Sequence, residues 1–138
     1  MADPLSITAS IIAVLQLSGK VIETLTTVYN ATEDRDKILT EICSVTGILF
    51  HLKGLAERSQ SDGDWALTTQ SLTVPRGPIA QFQSELEDLY GKLKPEAGLK
   101  KIGKFLKWPF QKDDIENILA RLERQKSTFL LCLQLDNM

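Results

Sequence analysis

The chain reads as an all-α protein: a helical bundle of four main helices plus a short basic connecting helix, in one domain over residues 1–138. Three observations predict this. Apolar residues recur at three- and four-residue spacing over three long stretches. No run alternates apolar and polar residues as a half-buried strand would, and no internal repeat is visible. The opening stretch is apolar around the whole helical circumference and suits the centre of such a bundle. With 43% hydrophobic and 25% charged residues, the 138-residue chain can bury a sizeable core without staples.

The first helix is expected from about Pro4 to Tyr29, with Asp3 as N-cap and Pro4 in the first turn. No charge appears between Asp3 and Lys20, so residues 4–19 are uncharged. Leu5, Ile7, Ile11, Ile12, Val14, Leu15 and Leu17 point almost all the way round, interrupted only by small or weakly polar residues. A helix of this kind is buried in protein or lies in a membrane. Sixteen residues rise about 24 Å, short of the roughly 20 residues that cross a bilayer core. Two readings follow: a core helix of a soluble bundle, or a helix stored in the core and released into lipid.

A polar joint, Asn30 to Asp34, precedes a second helix from about Asp36 to Arg58, with Ile38, Ile42, Val45, Leu49, Leu52 and Ala56 on one face. Residues 59–77 form a long loop. The third helix, about Pro78 to Leu93, carries the stripe Ile79, Phe82, Leu86, Leu89, Tyr90 and Leu93, and Pro95 ends it. A short basic helix is expected near Leu99 to Lys107, broken by Trp108-Pro109. The last helix, about Asp113 to Leu135, has Asp113 or Asp114 as cap and Ile115, Ile118, Leu119, Leu122, Phe129 and Leu133 inward. Ile42, Leu49, Phe82, Leu86, Leu89, Leu119 and Leu122 should therefore be buried, and the first helix largely enclosed by the others.

The net charge of −2 conceals an asymmetry. Residues 92–112 hold seven lysines against Glu96 alone, while the rest of the chain is acidic. As a helix, residues 99–107 would set Leu99, Ile102 and Leu106 opposite Lys100, Lys101, Lys104 and Lys107, with Trp108 at the border. That pattern suits an anionic lipid surface, or equally a connector with a solvated lysine face. With no arginine in the patch and no reading helix, nucleic acid is not an expected partner.

No catalytic constellation is present, and no enzyme activity, cofactor or metal is expected. His51 is the only histidine, and two distant cysteines, Cys43 and Cys132, cannot complete a zinc site. Both cysteines sit in apolar helical patterns and read as reduced core residues. Gly98 to Phe105 imitates a phosphate-binding loop, but Phe105 stands where Ser or Thr must hold magnesium, and no strand precedes Gly98. A secretory signal is not expected, because Asp3 stands where Lys or Arg belongs. The sequon Asn30-Ala31-Thr32 then carries no meaning.

Two stretches resemble a known family. Met1 to Leu17 is similar to the start of fungal HeLo-like domains, which stand at the N-terminus of STAND receptors with NACHT-type modules. Lys107-Trp108-Pro109-Phe110, followed by an acidic helix start and Leu122 to Ser127, is similar to the family's break before its last helix. The resemblance spans nearly the whole chain, although residues 59–77 carry little of it. It implies a cell-death-inducing effector of an innate immune or heterokaryon incompatibility receptor, cytoplasmic at rest and at the plasma membrane on activation. Such domains are thought to oligomerise and permeabilise the membrane, here through Leu5 to Leu17. A NACHT-type module in the same natural chain is implied as well, and the apolar run Phe129 to Leu135 at the end suggests a cut boundary. The other class left open is a homotypic signalling adaptor without membrane activity.

Overall fold

The helices follow from the apolar stripes, and their ends from local capping. In the computed structural model residues 4–28, 32–58, 76–93, 101–102, 105–106 and 108–136 are described. They form α1 (Pro4–Thr26), α2 (Thr32–Arg58), α3 (Pro78–Leu93), β1 (Lys101–Ile102), β2 (Phe105–Leu106) and α4 (Lys112–Asp136).

Helix α1 stops three residues before the expected Tyr29, in a threonine-rich stretch. Thr24, Thr26 and Thr27 hydroxyls donate to the carbonyls of Lys20, Glu23 and Thr24 at 2.6–2.8 Å. β-Branched residues are poor helix formers, and such local bonds compete with continued helix. Helix α2 starts earlier than expected, at Thr32, because Glu33 and Asp34 suit the positive end of its dipole. Arg35 closes the α1–α2 corner by donating to the Val28 carbonyl at 2.9 Å. Pro78 occupies the first position of α3, and Gln81 makes the first helical bond to Gly77 at 2.9 Å. Just before it Arg76 adopts φ 65°, its carbonyl held by the Gln81 amide at 2.7 Å. The cap of α4 differs from expectation: Gln111 precedes the first turn, and the Asp114 carboxylate reaches back to accept from its backbone N–H at 3.0 Å.

Contacts order the helices around the bundle. Helix α1 packs on α2 and α3, and α4 packs on the same two, so α1 and α4 occupy opposite corners. The side chains of Ser18 and Thr46 meet at 2.6 Å. If α1 and α2 ran parallel through that contact, Thr26 and Thr32 would lie about 33 Å apart. Six chain steps reach only about 22 Å, so the two helices are antiparallel. Helices α3 and α4 are antiparallel as well, since Glu85 meets Arg121 while the earlier Gln81 meets the later Gln125. Helices α2 and α4 run parallel: Glu41 meets Lys126, and the earlier Asp36 and Thr40 share a groove with the earlier Leu119 and Glu123. The residue 59–77 connection therefore joins helices at opposite corners, which accounts for its length.

One core results. Ile42, Leu49, Phe82, Leu86, Leu89 and Leu122 are buried as expected. Leu119 is not; it is half-buried and lines the α2–α4 groove. Phe82 and Phe129 meet edge-on at the centre, ring centroids 6.3 Å apart. Among the described residues the buried polar side chains are Ser18, Glu85 and Gln125. The cysteines divide, with Cys132 buried and Cys43 exposed on α2, so the core placement expected for Cys43 is corrected.

The short basic connecting helix is also corrected. Its described residues pair as a minimal antiparallel ladder, Lys101 with Leu106 and Ile102 with Phe105. A nine-residue isolated helix is marginal, like-charged lysines three and four apart repel, and each internal glycine costs about 1 kcal/mol.

Candidate membrane interface

The candidate membrane-inserting residues lie on α1, whose sequence makes it apolar on more faces than its neighbours cover. Ile7, Ile11, Val14, Ser18, Val21 and Leu25 form the buried stripe against α2 and α3. Leu15 and Leu17 flank it, partly buried. Ala9, Ile12, Ala13, Gln16 and Gly19 face outward, Ile12 at 38% exposure. The side chain of Leu5 lies outside the described residues. Helix α1 is therefore not enclosed as the sequence suggested. A corner helix has two neighbours, and two neighbours cover one stripe. The outward face keeps an apolar character that a soluble helix does not need.

The seam with α2 carries a polar link. Thr46 Oγ1 donates to the Ile42 carbonyl at 2.7 Å, which spends its only proton. Ser18 is thus the donor in the 2.6 Å bond between the two hydroxyls. The bond fixes the register of α1 on α2 and satisfies the buried hydroxyl.

Gly19 lies in the middle of α1. Close approach is ruled out: Gly19 faces outward, and an added Cβ would meet nothing within 4 Å. Gly19→Ala should therefore stabilise the fold by about 0.4–1 kcal/mol, since a mid-helix glycine costs helix propensity without repaying it in packing. The urea midpoint measures this; a lower midpoint would show that the backbone there is not plain helix.

Length and composition extend the sequence reading. Helix α1 continues through Lys20 and Glu23, and Ile7–Thr26, 20 residues at mean hydropathy 1.3, is long and apolar enough to cross a membrane by those two criteria. The same holds for Glu33–Glu57 of α2, at mean hydropathy 1.4. On α2 and α4 Phe50, Leu130 and Leu131 are exposed at 59%, 41% and 55%.

The candidate membrane-surface residues fare differently. Lys100, Lys104 and Lys107 lie outside the described residues. Lys101 lies in β1, and its side chain is outside them too. Trp108 is corrected from interface to core: it is 9% exposed and stacks edge-on with Phe110, ring centroids 5.0 Å apart. Lys92 Nζ lies 5.8 Å from the centre of the Phe110 ring. The Trp-Pro-Phe break thus anchors the start of α4 beside the end of α3. It was missed as a core element because a lone aromatic pair in a proline-containing link has no periodicity.

The helix directions place these features relative to one another. The lysine-rich segment joins the end of α3 to the start of α4, and the α1–α2 corner lies at that same end. The uncharged start of α1 lies at the other end, about 30 Å away along the bundle. Among the described residues no group of three or more metal-ligating side chains occurs. Comparison with family models, with curated proteins and with solved structures returns no match.

Proposed function

We propose that this chain is the membrane-targeting, cell-death-inducing effector domain of a fungal immune or incompatibility receptor, permeabilising membranes through α1 after oligomerisation. The single observation that carries the reading is the outward apolar face of α1: Ala9, Ile12 and Ala13 remain exposed although the buried stripe already satisfies the core. The resemblance of Met1 to Leu17 to HeLo-like domains supports the same reading. On this reading the domain is cytoplasmic at rest, and Lys100, Lys101, Lys104 and Lys107 draw it to anionic lipid at the plasma membrane. A NACHT-type module in the natural chain would cluster it. On this reading recruitment by the lysines and insertion of α1 are separate steps.

Gln16→Glu tests this. Gln16 is exposed, so the soluble fold should tolerate the charge, whereas a charge in lipid costs about 3 kcal/mol per subunit. Dye release from phosphatidylserine-containing liposomes should fall more than tenfold while the helical signal stays at wild type. Release equal to wild type would show that α1 does not enter lipid. The homotypic adaptor reading would then take its place, favoured by the exposed Phe50, Leu130 and Leu131.

A further inference from the structure

We propose that the outer face shared by α1 and α2 packs against the same face of a second copy, as a two-fold dimer. Thr46 meets Ser18 and Glu41 meets Lys126, so these two residues mark the flanks of α2 turned to α1 and to α4. Cys43 and Phe50 stand three residues before and four after Thr46, next to it on the outer side of the α1 flank, with Gly47 between them. Antiparallel helices face each other with flanks of the same rotational sense, so α1 turns Ile12, Leu15 and Gly19 to this side. Ile12, Gly19, Cys43, Gly47 and Phe50 are all exposed.

The face has ridges and notches. Ile12 and Phe50 are the ridges, large apolar side chains left in water. Gly19 and Gly47 are the notches, where an added Cβ would meet nothing within 4 Å. A glycine within a helix costs about 1 kcal/mol, and no neighbour inside the bundle comes close enough to need either one. The spacing suits self-pairing. The midpoint of Ile12 and Gly19 lies two and a half residues before Ser18, and that of Gly47 and Phe50 two and a half residues after Thr46. Because α1 and α2 are antiparallel and Ser18 meets Thr46, the two midpoints stand at one level of the bundle. A single two-fold axis at that level, lying in the face and crossing both helices, sets Ile12 over the partner's Gly19 and Phe50 over the partner's Gly47.

Charge and area favour a second copy as the occupant. Helix α1 has no charge from residue 4 to residue 19, and α2 has no Asp, Glu, Lys or Arg between Glu41 and Lys53. Pairing these ridges with these notches therefore desolvates no ion. Two helices side by side make a face about 20 Å wide, and α1 and α2 run together for about 30 Å. Each copy thus offers about 600 Å², and a pair buries about 1,200 Å², the lower edge of stable specific interfaces. The same patch is used on both copies, so the contact is isologous and closes at two. This inference goes beyond the membrane reading and stands without lipid.

Sedimentation velocity of the 138-residue protein, in the absence of lipid, tests it. A species of twice the monomer mass should form and grow no further, at about 50 and about 500 mM salt alike, because no charge holds it. Gly47→Leu fills a notch with a residue that helices favour. Its helical signal should hold while the dimer weakens at least about a hundredfold, since the axis repeats each change. Phe50→Gln should weaken it as strongly from the ridge side. The gain expected of Gly19→Ala belongs to the monomer and is read below the dimer's dissociation constant. A protein monomeric from micromolar to millimolar concentration would overturn the proposal, the face then being left to lipid or to another protein. Dimers of Gly47→Leu as tight as wild type would overturn it equally, as would assembly past two copies or dispersal at high salt. Gly47→Leu leaves α1 unchanged, so its dye release reports on the membrane reading separately.

Discussion

Phe82→Ala should destabilise the protein by about 3–5 kcal/mol, a large share of the roughly 5–15 kcal/mol that holds an ordinary domain together. Phe82 has no exposed surface and meets Phe129 edge-on at 6.3 Å with an interplanar angle of 79°. The truncation removes most of a ring's burial and opens a cavity between two helices that can close only by moving together. Helices α3 and α4 are also joined through polar contacts, Glu85 with Arg121 and Gln125 with Gln81, that resist such a shift. Urea denaturation of the single variants and of Phe82→Ala/Phe129→Ala measures both the loss and the ring–ring coupling, expected at about 0.5–1.5 kcal/mol. A loss below about 1 kcal/mol for Phe82→Ala would show that the α3–α4 seam is not the centre of the core.

The second large effect is asymmetric. Arg121→Ala should cost about 3 kcal/mol, and Glu85→Leu distinctly less, although both break the same ion pair. The Arg121 guanidinium grips the Glu85 carboxylate with two hydrogen bonds, Nε at 2.5 Å and Nη2 at 3.2 Å. The hydrogen bond to Glu85 raises the guanidinium above its ordinary value. The Glu85 side chain is 5% exposed, whereas that of Arg121 is 47% exposed. Removing the arginine strands a carboxylate in the interior; removing the glutamate leaves the arginine in water and fills the site with apolar atoms. Thermal and urea unfolding of the two variants decide this. Equal costs would mean that the pair behaves as a surface ion pair.

How far the sequence reveals this molecule depends on what periodicity can encode. The stripes Ile79-Phe82-Leu86-Leu89-Leu93 and Ile38-Ile42-Val45-Leu49-Leu52 are legible because a one-sided apolar face states which side is inward. Periodicity does not state how many neighbours will cover a face. Helix α1 was read as enclosed because it is apolar all round, yet at a corner of the bundle only one stripe is covered. Leu119 fails for the same reason, since its spacing is inward but the space beside it is a groove. The stretch near Lys101 was read by its amphipathic spacing, while local chemistry, two glycines among lysines, decides against a helix. Of the candidate site, the helix was legible and the position of Trp108 was not. Its burial depends on Phe110 and the end of α3, a tertiary contact that no local pattern announces.

The order of helices around the bundle has a consequence for how the domain comes apart. Helix α1 meets α2 and α3, but α2 and α3 are each also held by α4. Detaching α1 therefore opens two seams and leaves α2, α4 and α3 as an unbroken row. Release of the first helix would thus break two of the bundle's four seams and leave the other two intact. One hydroxyl pair, Ser18 with Thr46, is a hydrogen bond that crosses the seam from α1 to α2. Cooperative unfolding and the partial release of α1 are thus different events in the same structure, and ligands that act on one need not act on the other.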